Sequence, residues 1–294
     1  MTTTRVFAFT AAFALGLFTA PVAPQSVRQP PPLTSPRLYI FDCGTLEGDP
    51  ARFNLKREEM ATTDMSIGCY LIVHPKGVLM WDTGAVPDAD VKPATERTRH
   101  HIQLTNTERY VTLGKSLIGQ LAEAGYAPTD VTHLALSHYH YDHTANANAF
   151  ASATWLVRQA ERDAMFAEKP PDLIQRATFD RLAGSKTVVI RTDDYDVFGD
   201  GSVVIKWAPG HTPGHQVLFV KLAKTGPVLL SGDLYHYPEE VRLDRVPTFE
   251  VDAAQTRRTR AAIDAFLKKS RAQLWIQHDI KANAALKKGP AFYE

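Results

Sequence analysis

The sequence predicts an α+β fold in which two mixed β-sheets pack together and helices cover their outer faces. Short apolar runs that predict strands outnumber the helical segments along the 294 residues, and helices recur between groups of strands. Turn-forming residues separate neighbouring strands, as at Gly199-Asp200-Gly201 and Lys224-Thr225-Gly226. Groups of strands separated by helices are typical of two sheets with helices outside. We expect residues 37–294 to form this domain.

The strand predictions rest on short apolar runs bounded by turn residues. The turn at 74–77 predicts a hairpin in the first half of the domain. The polar segment 84–109, which contains His100 and His101, reads as a long loop of the kind that often forms a lid. Strands are expected at 37–41, 69–73, 78–81, 132–137, 154–157, 187–190, 203–207, 217–222, 227–230 and 274–276.

Three segments predict helices on the outer faces. Apolar residues with helical spacing begin at Leu117, and Gly125 is expected to end that helix. Residues 159–169 predict a second helix. Asp252 and Gln255 resemble a capping pair, so a third helix is expected to begin there.

The run from Ser137 to His143 carries the strongest chemical signal in the chain. His138 and His140 are two residues apart, so on an extended segment both side chains point to the same side. Asp142 and His143 follow directly, on what is expected to be a tight loop. Bare imidazoles and carboxylates are costly to bury without a partner. The cluster therefore predicts half of a two-metal site.

Three more residues with metal-binding side chains follow predicted strands later in the chain. They are His211, Asp233 and His278. A side chain placed just past the end of a strand is held on a rigid support at the rim of a sheet. These three residues are therefore expected to complete the site.

These residues resemble those of the metallo-β-lactamase-fold hydrolases, which carry an HxHxDH motif followed by a later His, Asp and His. The upstream Asp82-Thr83-Gly84 and the TPGH turn at 212–215 extend the resemblance, which covers residues 38–291 and is strongest toward the N-acyl-homoserine lactonases. It implies an αββα sandwich with the site between the sheets at one end. It also implies two divalent ions, which are expected to be zinc. The first ion would be bound by His138, His140 and His211, and the second by Asp142, His143 and His278. Asp233 would bind both ions.

Such a donor set suits zinc, and three protein ligands per ion leave room for water. The resemblance implies that a hydroxide bridging the ions attacks the carbonyl of a small lactone or ester, and that Asp142 passes a proton to the leaving alkoxide. The expected reaction is ring opening of N-acyl-homoserine lactones, which quenches quorum sensing. A hydrolase of the same fold acting on a β-lactam, a phosphotriester or an aryl ester is the alternative. A metal-binding protein without catalysis is the third hypothesis.

Four further residues are expected to support the site. Asp82 follows a predicted strand and is expected to accept a hydrogen bond from a ligand imidazole. His215 is expected to hold the TPGH turn. The related lactonases place a substrate-contacting Tyr three residues after the bridging Asp, where this chain has His236 preceded by Tyr235. We expect His236 and Tyr235 to take part in catalysis, with His236 donating a hydrogen bond to a carbonyl oxygen.

The composition and the N-terminus predict an exported protein without nucleic-acid partners. A formal net charge of +1 provides no basic surface for nucleic acid. Arg5 and the apolar run 6–20 have the form of a signal peptide, and a Pro-rich linker extends to residue 36. We therefore expect a periplasmic or secreted protein with no stable membrane insertion after processing. The oligomeric state stays open, a homodimer included.

The two cysteines, Cys43 and Cys69, lie in predicted strands that could be neighbours in a sheet. An oxidising compartment would permit a disulfide between them. We expect two buried thiols instead, with the disulfide as the alternative.

Overall fold

The computed structural model describes residues 1–2, 33–92 and 96–294. The expected signal-peptide run, residues 5–20, lies outside the described residues. Among the described residues, no helix combines the length and apolar character needed to cross a bilayer.

The larger sheet carries the strands that lead into the HxHxDH run. Its order is β4-β5-β1-β2-β3-β6-β7-β8, with β14 paired to β1, and it mixes antiparallel and parallel pairs. Among the described residues its strands are β1 (Arg37–Leu46), β2 (Met65–His74), β3 (Gly77–Trp81), β4 (Thr98–Gln103), β5 (Glu108–Leu113), β6 (His133–Ala135), β7 (Thr154–Arg158), β8 (Thr187–Ile190) and β14 (Phe292–Tyr293).

The smaller sheet carries the later predicted ligands. Its order is β13-β12-β11-β10-β9, antiparallel except for the parallel pair β12 and β13. Its strands in the described part of the chain are β9 (Asp194–Asp196), β10 (Val203–Trp207), β11 (Gln216–Leu222), β12 (Gly226–Leu230) and β13 (Gln273–Trp275).

The alternation of side chains along the strands builds three apolar layers. Leu38 and Ile40 of β1 share a buried cluster with Leu218 of β11, between the two sheets. The intervening Tyr39 shares a second cluster with residues of the helices outside the larger sheet. Phe219 of β11 packs with Ile263 outside the smaller sheet. The expected α+β fold, an αββα sandwich of two mixed sheets, is confirmed.

The α-helices of the described residues are α1 (Leu117–Glu123), α2 (Tyr141–Thr144), α3 (Gln159–Met165), α4 (Pro238–Leu243), α5 (Ala253–Ser270) and α6 (Ile280–Ala285). Asp252 caps α5 by accepting a hydrogen bond from the backbone N–H of Gln255 at 2.8 Å, as expected. The tight loop expected at Asp142 and His143 is instead the single helical turn α2. This turn brings both side chains back toward the end of β6.

The segment 84–109 differs from the expected loop because much of it is strand. β4 lies inside it, and β5 begins at Glu108, so the two strands form a hairpin at the edge of the larger sheet. The alternation of apolar and polar residues that indicates a strand is weak here, because most side chains of β4 are exposed. Polar edge strands of this kind look like loops in a sequence.

The prediction of two free thiols is wrong, because Cys43 and Cys69 form a disulfide. β1 and β2 are antiparallel neighbours, with Phe41 opposite Cys69. The register shifts between Asp42 and Thr45, and the Cα atoms of the two cysteines lie 5.9 Å apart. That separation falls within the ordinary range for disulfides.

Removing the disulfide is expected to lower stability without touching the site. The cysteines are 26 residues apart, and closing a loop of that length removes unfolded-state entropy equivalent to about 3.5 kcal/mol. The Cys43→Ser, Cys69→Ser double variant should therefore unfold at a lower denaturant concentration than the parent. Dithiothreitol should lower the midpoint of the parent protein and leave that of the variant unchanged. Equal midpoints for parent and variant would show that the crosslink contributes nothing.

Candidate metal centre

The predicted ligands converge at one end of the sandwich because each follows the end of a strand or belongs to the turn beyond it. His138 and His140 follow β6, and Asp142 and His143 lie in α2. The other three lie in loops of the smaller sheet: His211 between β10 and β11, Asp233 just past β12 and His278 just past β13. All seven residues are buried.

Two groups of donor atoms result. The four residues of the first group each offer a ligand atom within 4.8 Å of the others, and the three of the second group do the same. The first group is His138, His140, His211 and Asp233, and the second is Asp142, His143 and His278.

Asp233 joins the two groups, because each of its carboxylate oxygens faces a different one. Oδ2 lies 3.5 Å from Nε2 of His138 and 3.4 Å from Nε2 of His211. Oδ1 lies 3.1 Å from Nε2 of His143 and 3.0 Å from Nε2 of His278. A carboxylate in this position can bind one ion through each oxygen and offset the repulsion between two cations.

Hydrogen bonds on the far side of the rings fix which nitrogen faces the centre. Nδ1 of His143 donates to Asp82 at 2.9 Å, and Nδ1 of His211 donates to Glu250 at 2.7 Å. Nδ1 of His278 donates to the backbone carbonyl of Ser66 at 2.7 Å. Each ring therefore directs Nε2 to the centre, the orientation that a metal ligand requires.

The residues present fit a pair of zinc ions. Nε2 of His138, Nε2 of His143 and Oδ1 of Asp233 are fully buried, yet none of them makes a hydrogen bond despite the short approaches to Asp233. Unpartnered buried polar atoms are costly, and cations among them would satisfy all three. A donor set of imidazole nitrogens and carboxylate oxygens suits zinc.

Two of the ligand imidazoles and the bridging carboxylate are in the protonation states that bind metals, whereas His143 and His211 must first lose a proton. Burial, reinforced by the neighbouring imidazoles, lowers the pKa of His138 and His140 well below the ordinary value, so both rings are neutral. Burial alone would raise the pKa of Asp233, but the imidazoles of His143 and His278 hold it well below its usual range. Neutral imidazole and ionised carboxylate are the forms that bind metals. At His143 and His211 burial lowers the pKa but neighbouring carboxylates outweigh it, raising that of His143 well above its ordinary value and that of His211 to about 9, so metal binding would release a proton from each ring.

Asp82 lies behind the site and holds three partners. It accepts hydrogen bonds from His143, from the backbone N–H of Ser137 at 2.6 Å and from the side chain of Gln277 at 3.1 Å. Its φ of 56° is in the left-handed region, where Asp is tolerated better than most residues. This turn after β3 directs its side chain to the ligand ring.

Replacing Asp82 with asparagine is expected to weaken metal binding by about 10- to 100-fold, the usual effect of removing a partner behind a ligand. An amide can donate to Nδ1 of His143 and reverse its tautomer, which would turn a ring N–H toward the metal. Zinc affinity measured by competition with a chromophoric chelator checks this. Asp200→Asn, at an exposed turn away from the site, is the matched control. Equal affinities for Asp82→Asn and the control would contradict this role for Asp82.

His215 holds the backbone that carries Asp233. Its Nδ1 donates to the carbonyl of Ala208 at 2.9 Å, and its Nε2 accepts from the N–H of Asp233 at 3.0 Å. Both ring nitrogens are occupied, so His215 has no free lone pair for a metal. Gly232 makes this approach possible, since a Cβ there would meet Nε2 of His215 at 2.8 Å and its φ of 48° is left-handed.

His236 lies inside the site, and Tyr235 does not. Nε2 of His236 lies 3.1 Å from Oδ2 of Asp233, and the ring lines the cavity beside the ligands. Tyr235 points the other way, under the guanidinium of Arg260 and toward α5, with its hydroxyl 3.4 Å from Asp264. The structure therefore does not bring Tyr235 into the metal site with His236, because successive side chains of extended backbone face opposite sides.

Three glutamates with buried side chains, which sequence reasoning missed, hold the site in place. Glu161 of α3 accepts from the N–H of Tyr139 and from the N–H of Gly214, each at 2.8 Å, and so joins the two ligand loops. Glu250 orients His211. Glu240 lies 3.2 Å from Nδ1 of His236 and forms an ion pair with Arg260. None belongs to a motif, and only their burial in the fold distinguishes them from surface glutamates.

The comparisons with known proteins agree with this geometry. The family model described as the metallo-beta-lactamase superfamily matches residues 62–272. The chain belongs to this superfamily. Among the curated members, it is 29% identical over 271 residues to the N-acyl homoserine lactonase AttM of Azorhizobium caulinodans, a match covering 89% of this chain and all of that one.

Solved structures of the superfamily have the same fold. An N-acyl homoserine lactone hydrolase with the product N-hexanoyl-L-homoserine bound at its catalytic metal center aligns with a TM-score of 0.71 at 23% identity, over 88% of this chain and all of that one. The dizinc quorum-quenching lactonase AidC aligns with a TM-score of 0.57 at 18% identity, over 88% of this chain and 94% of that one.

Proposed function

We propose that this protein is a dinuclear zinc lactonase that hydrolyses the ring ester of N-acyl-homoserine lactones. The observation that carries this proposal is the position of Asp233, with one carboxylate oxygen in each donor group. The β-lactamases that share the HxHxDH motif lack an equivalent bridging Asp. Similarity to AttM over the whole length of that lactonase supports the same substrate class.

The zinc ligands in this proposal are the seven residues of the two donor groups. When bound, the ions would lower the pKa of a water molecule and polarise the lactone carbonyl. In the metal-free protein, burial opposes protonation of His236, but the carboxylates of Asp233 and Glu240 raise its pKa to about 10. His236 borders the cavity, and in this proposal its Nε2–H donates a hydrogen bond to the substrate carbonyl oxygen. Asp142 lines the same cavity and is placed to pass a proton to the alkoxide when the ring C–O bond breaks.

The test is a parallel assay of zinc-loaded protein against three substrates. N-decanoyl-homoserine lactone releases acid on ring opening, which a pH indicator reports, while nitrocefin and paraoxon give coloured products. We expect turnover of the lactone to exceed that of the other two, and chelation to abolish it. Preference for nitrocefin or paraoxon would assign the alternative substrate classes instead. No turnover of any substrate would favour a metal-binding protein without catalysis.

We also propose that the protein is exported to the periplasm or secreted. The signal-peptide pattern at residues 5–20 motivates this proposal, and the Cys43–Cys69 disulfide supports it, because disulfides persist in oxidising compartments. Cell fractionation followed by mass spectrometry should find a chain shortened at its N-terminus outside the cytoplasm. A full-length chain in the cytoplasm would contradict export. Light scattering on the same material would distinguish a monomer from a homodimer.

A further inference from the structure

Two arginines line the cavity next to the metal ligands. Arg52 follows β1, and Arg109 is the second residue of β5. Both side chains border the small cavity, of about 40 Å³, that is also lined by Asp142, Asp233 and His236. The two arginines therefore border the same space as the metal ligands.

Both arginines keep unused hydrogen-bonding capacity. Nη1 of Arg109 donates to the hydroxyl of Thr107 at 2.5 Å and to the carbonyl of Glu108 at 2.7 Å, but its Nη2 is buried without a partner. The guanidinium of Arg52 lies 4.5 Å from the ring centre of Phe249 and makes no hydrogen bond or ion pair with any described residue. Residues 3–32 and 93–95 contain no Asp or Glu that could pair with either arginine.

Five acidic residues near the two arginines are engaged with other partners, and the two acidic residues of the small cavity, Asp142 and Asp233, belong to the metal site. Asp49 caps a turn by accepting from the N–H of Ala51. Four others have side-chain partners: Glu47 binds Arg99, Glu108 binds His101, Asp172 accepts from Asn106, and Glu250 accepts from His211. Neither guanidinium therefore has a carboxylate as a hydrogen-bond or ion-pair partner among the described residues. Burial and then repulsion from Arg109 lower the pKa of Arg52, while Asp49 and Asp142 partly offset them.

Arg52 also borders a larger cavity that could hold an acyl group. This space of about 320 Å³ is lined by Tyr139, Leu173 and Phe249, and it reaches His140 of the metal site. A cavity of this size accommodates a short acyl chain. Apolar residues together with Arg52 suit a chain that ends in a charged group, and Arg52 also borders the small cavity that Arg109 lines.

We propose that Arg52 and Arg109 form a carboxylate-binding subsite, so that the preferred lactones carry a negatively charged acyl group. This inference rests on the proposed lactonase function and specifies its substrate class. Guanidinium groups bind carboxylates through paired, charge-assisted hydrogen bonds. A carboxylate here would satisfy the orphaned Nη2 of Arg109 and the free donors of Arg52.

The test compares N-succinyl-homoserine lactone with N-succinamoyl-homoserine lactone, which differ only in a terminal carboxylate or carboxamide. We expect kcat/KM to be about tenfold or more higher for the charged lactone, since hydrogen bonds to charged groups are the stronger ones. In the Arg52→Gln, Arg109→Gln double variant this ratio should fall to about one. Arg99→Gln, which removes an exposed arginine already paired with Glu47, should keep the ratio. A ratio near one in the parent protein would overturn the proposal.

A binding measurement separates failure of the subsite from failure of the lactonase assignment. Calorimetry on zinc-loaded protein would compare the ring-opened acids N-succinyl-homoserine and N-succinamoyl-homoserine, neither of which needs turnover. Tighter binding of the first by about tenfold, lost in the double variant, supports the subsite even if neither lactone is opened. Equal affinities overturn it whatever the lactone assay shows.

Discussion

Replacing Asp233 with alanine is expected to remove bound metal and activity together. Its two oxygens each face a different donor group, so the change removes a ligand from both positions and the negative charge between them. Without that charge, two dications in one buried site repel each other. We expect zinc content to fall below one ion per chain and kcat/KM to fall by more than about a thousandfold.

Elemental analysis of the purified variant, followed by lactone kinetics, checks this expectation. Asp264→Ala is the matched control, because that carboxylate lies near Tyr235 on the other side of the same loop and lines neither metal group. A variant at Asp233 that retained both ions and normal turnover would show that the carboxylate does not bridge.

Replacing His236 with alanine is expected to lower kcat by about 100- to 1,000-fold while the metal content stays at two, the effect of losing one donor to a developing oxyanion. Its ring belongs to neither donor group, yet it lies 3.1 Å from Asp233 and stacks parallel to His278. Loss of a ligand would instead remove metal, so the two measurements distinguish the roles.

A conservative variant sharpens this test. The side-chain amide of His236→Gln can place a donor near the position of Nε2, so part of the lost kcat should return. Stopped-flow kinetics and zinc analysis on His236→Ala and His236→Gln report both quantities. Unchanged kinetics in His236→Ala would remove this side chain from the catalytic site.

The ligand positions were predictable because they combine two local signals. His138 and His140 alternate on extended backbone, and His211, Asp233 and His278 each follow an apolar run that becomes a strand of the smaller sheet. Strand ends at the same rim of a sandwich bring such residues together. The arrangement of sheets and helices in layers was predictable for the same reason, because the apolar patterns that indicate strands and helices lie within short segments of the sequence.

The features that were missed depend on contacts distant in sequence. The disulfide depends on the register between β1 and β2, and the position of Tyr235 depends on its contacts with Arg260 and Asp264 of α5. Glu161 and Arg52 belong to no sequence motif. Their roles come from contacts with loops that are distant in the sequence, so no local pattern identifies them. Polar strands such as β4 lack the apolar alternation that identifies a strand.

The most direct test of a two-ion site is a titration of metal-free protein with zinc, in which lactone turnover and bound metal are measured at each step. Two donor groups joined by Asp233 predict that activity rises until two ions are bound per chain and then stays constant. Full activity at one ion per chain, or without added metal, would contradict the dinuclear site.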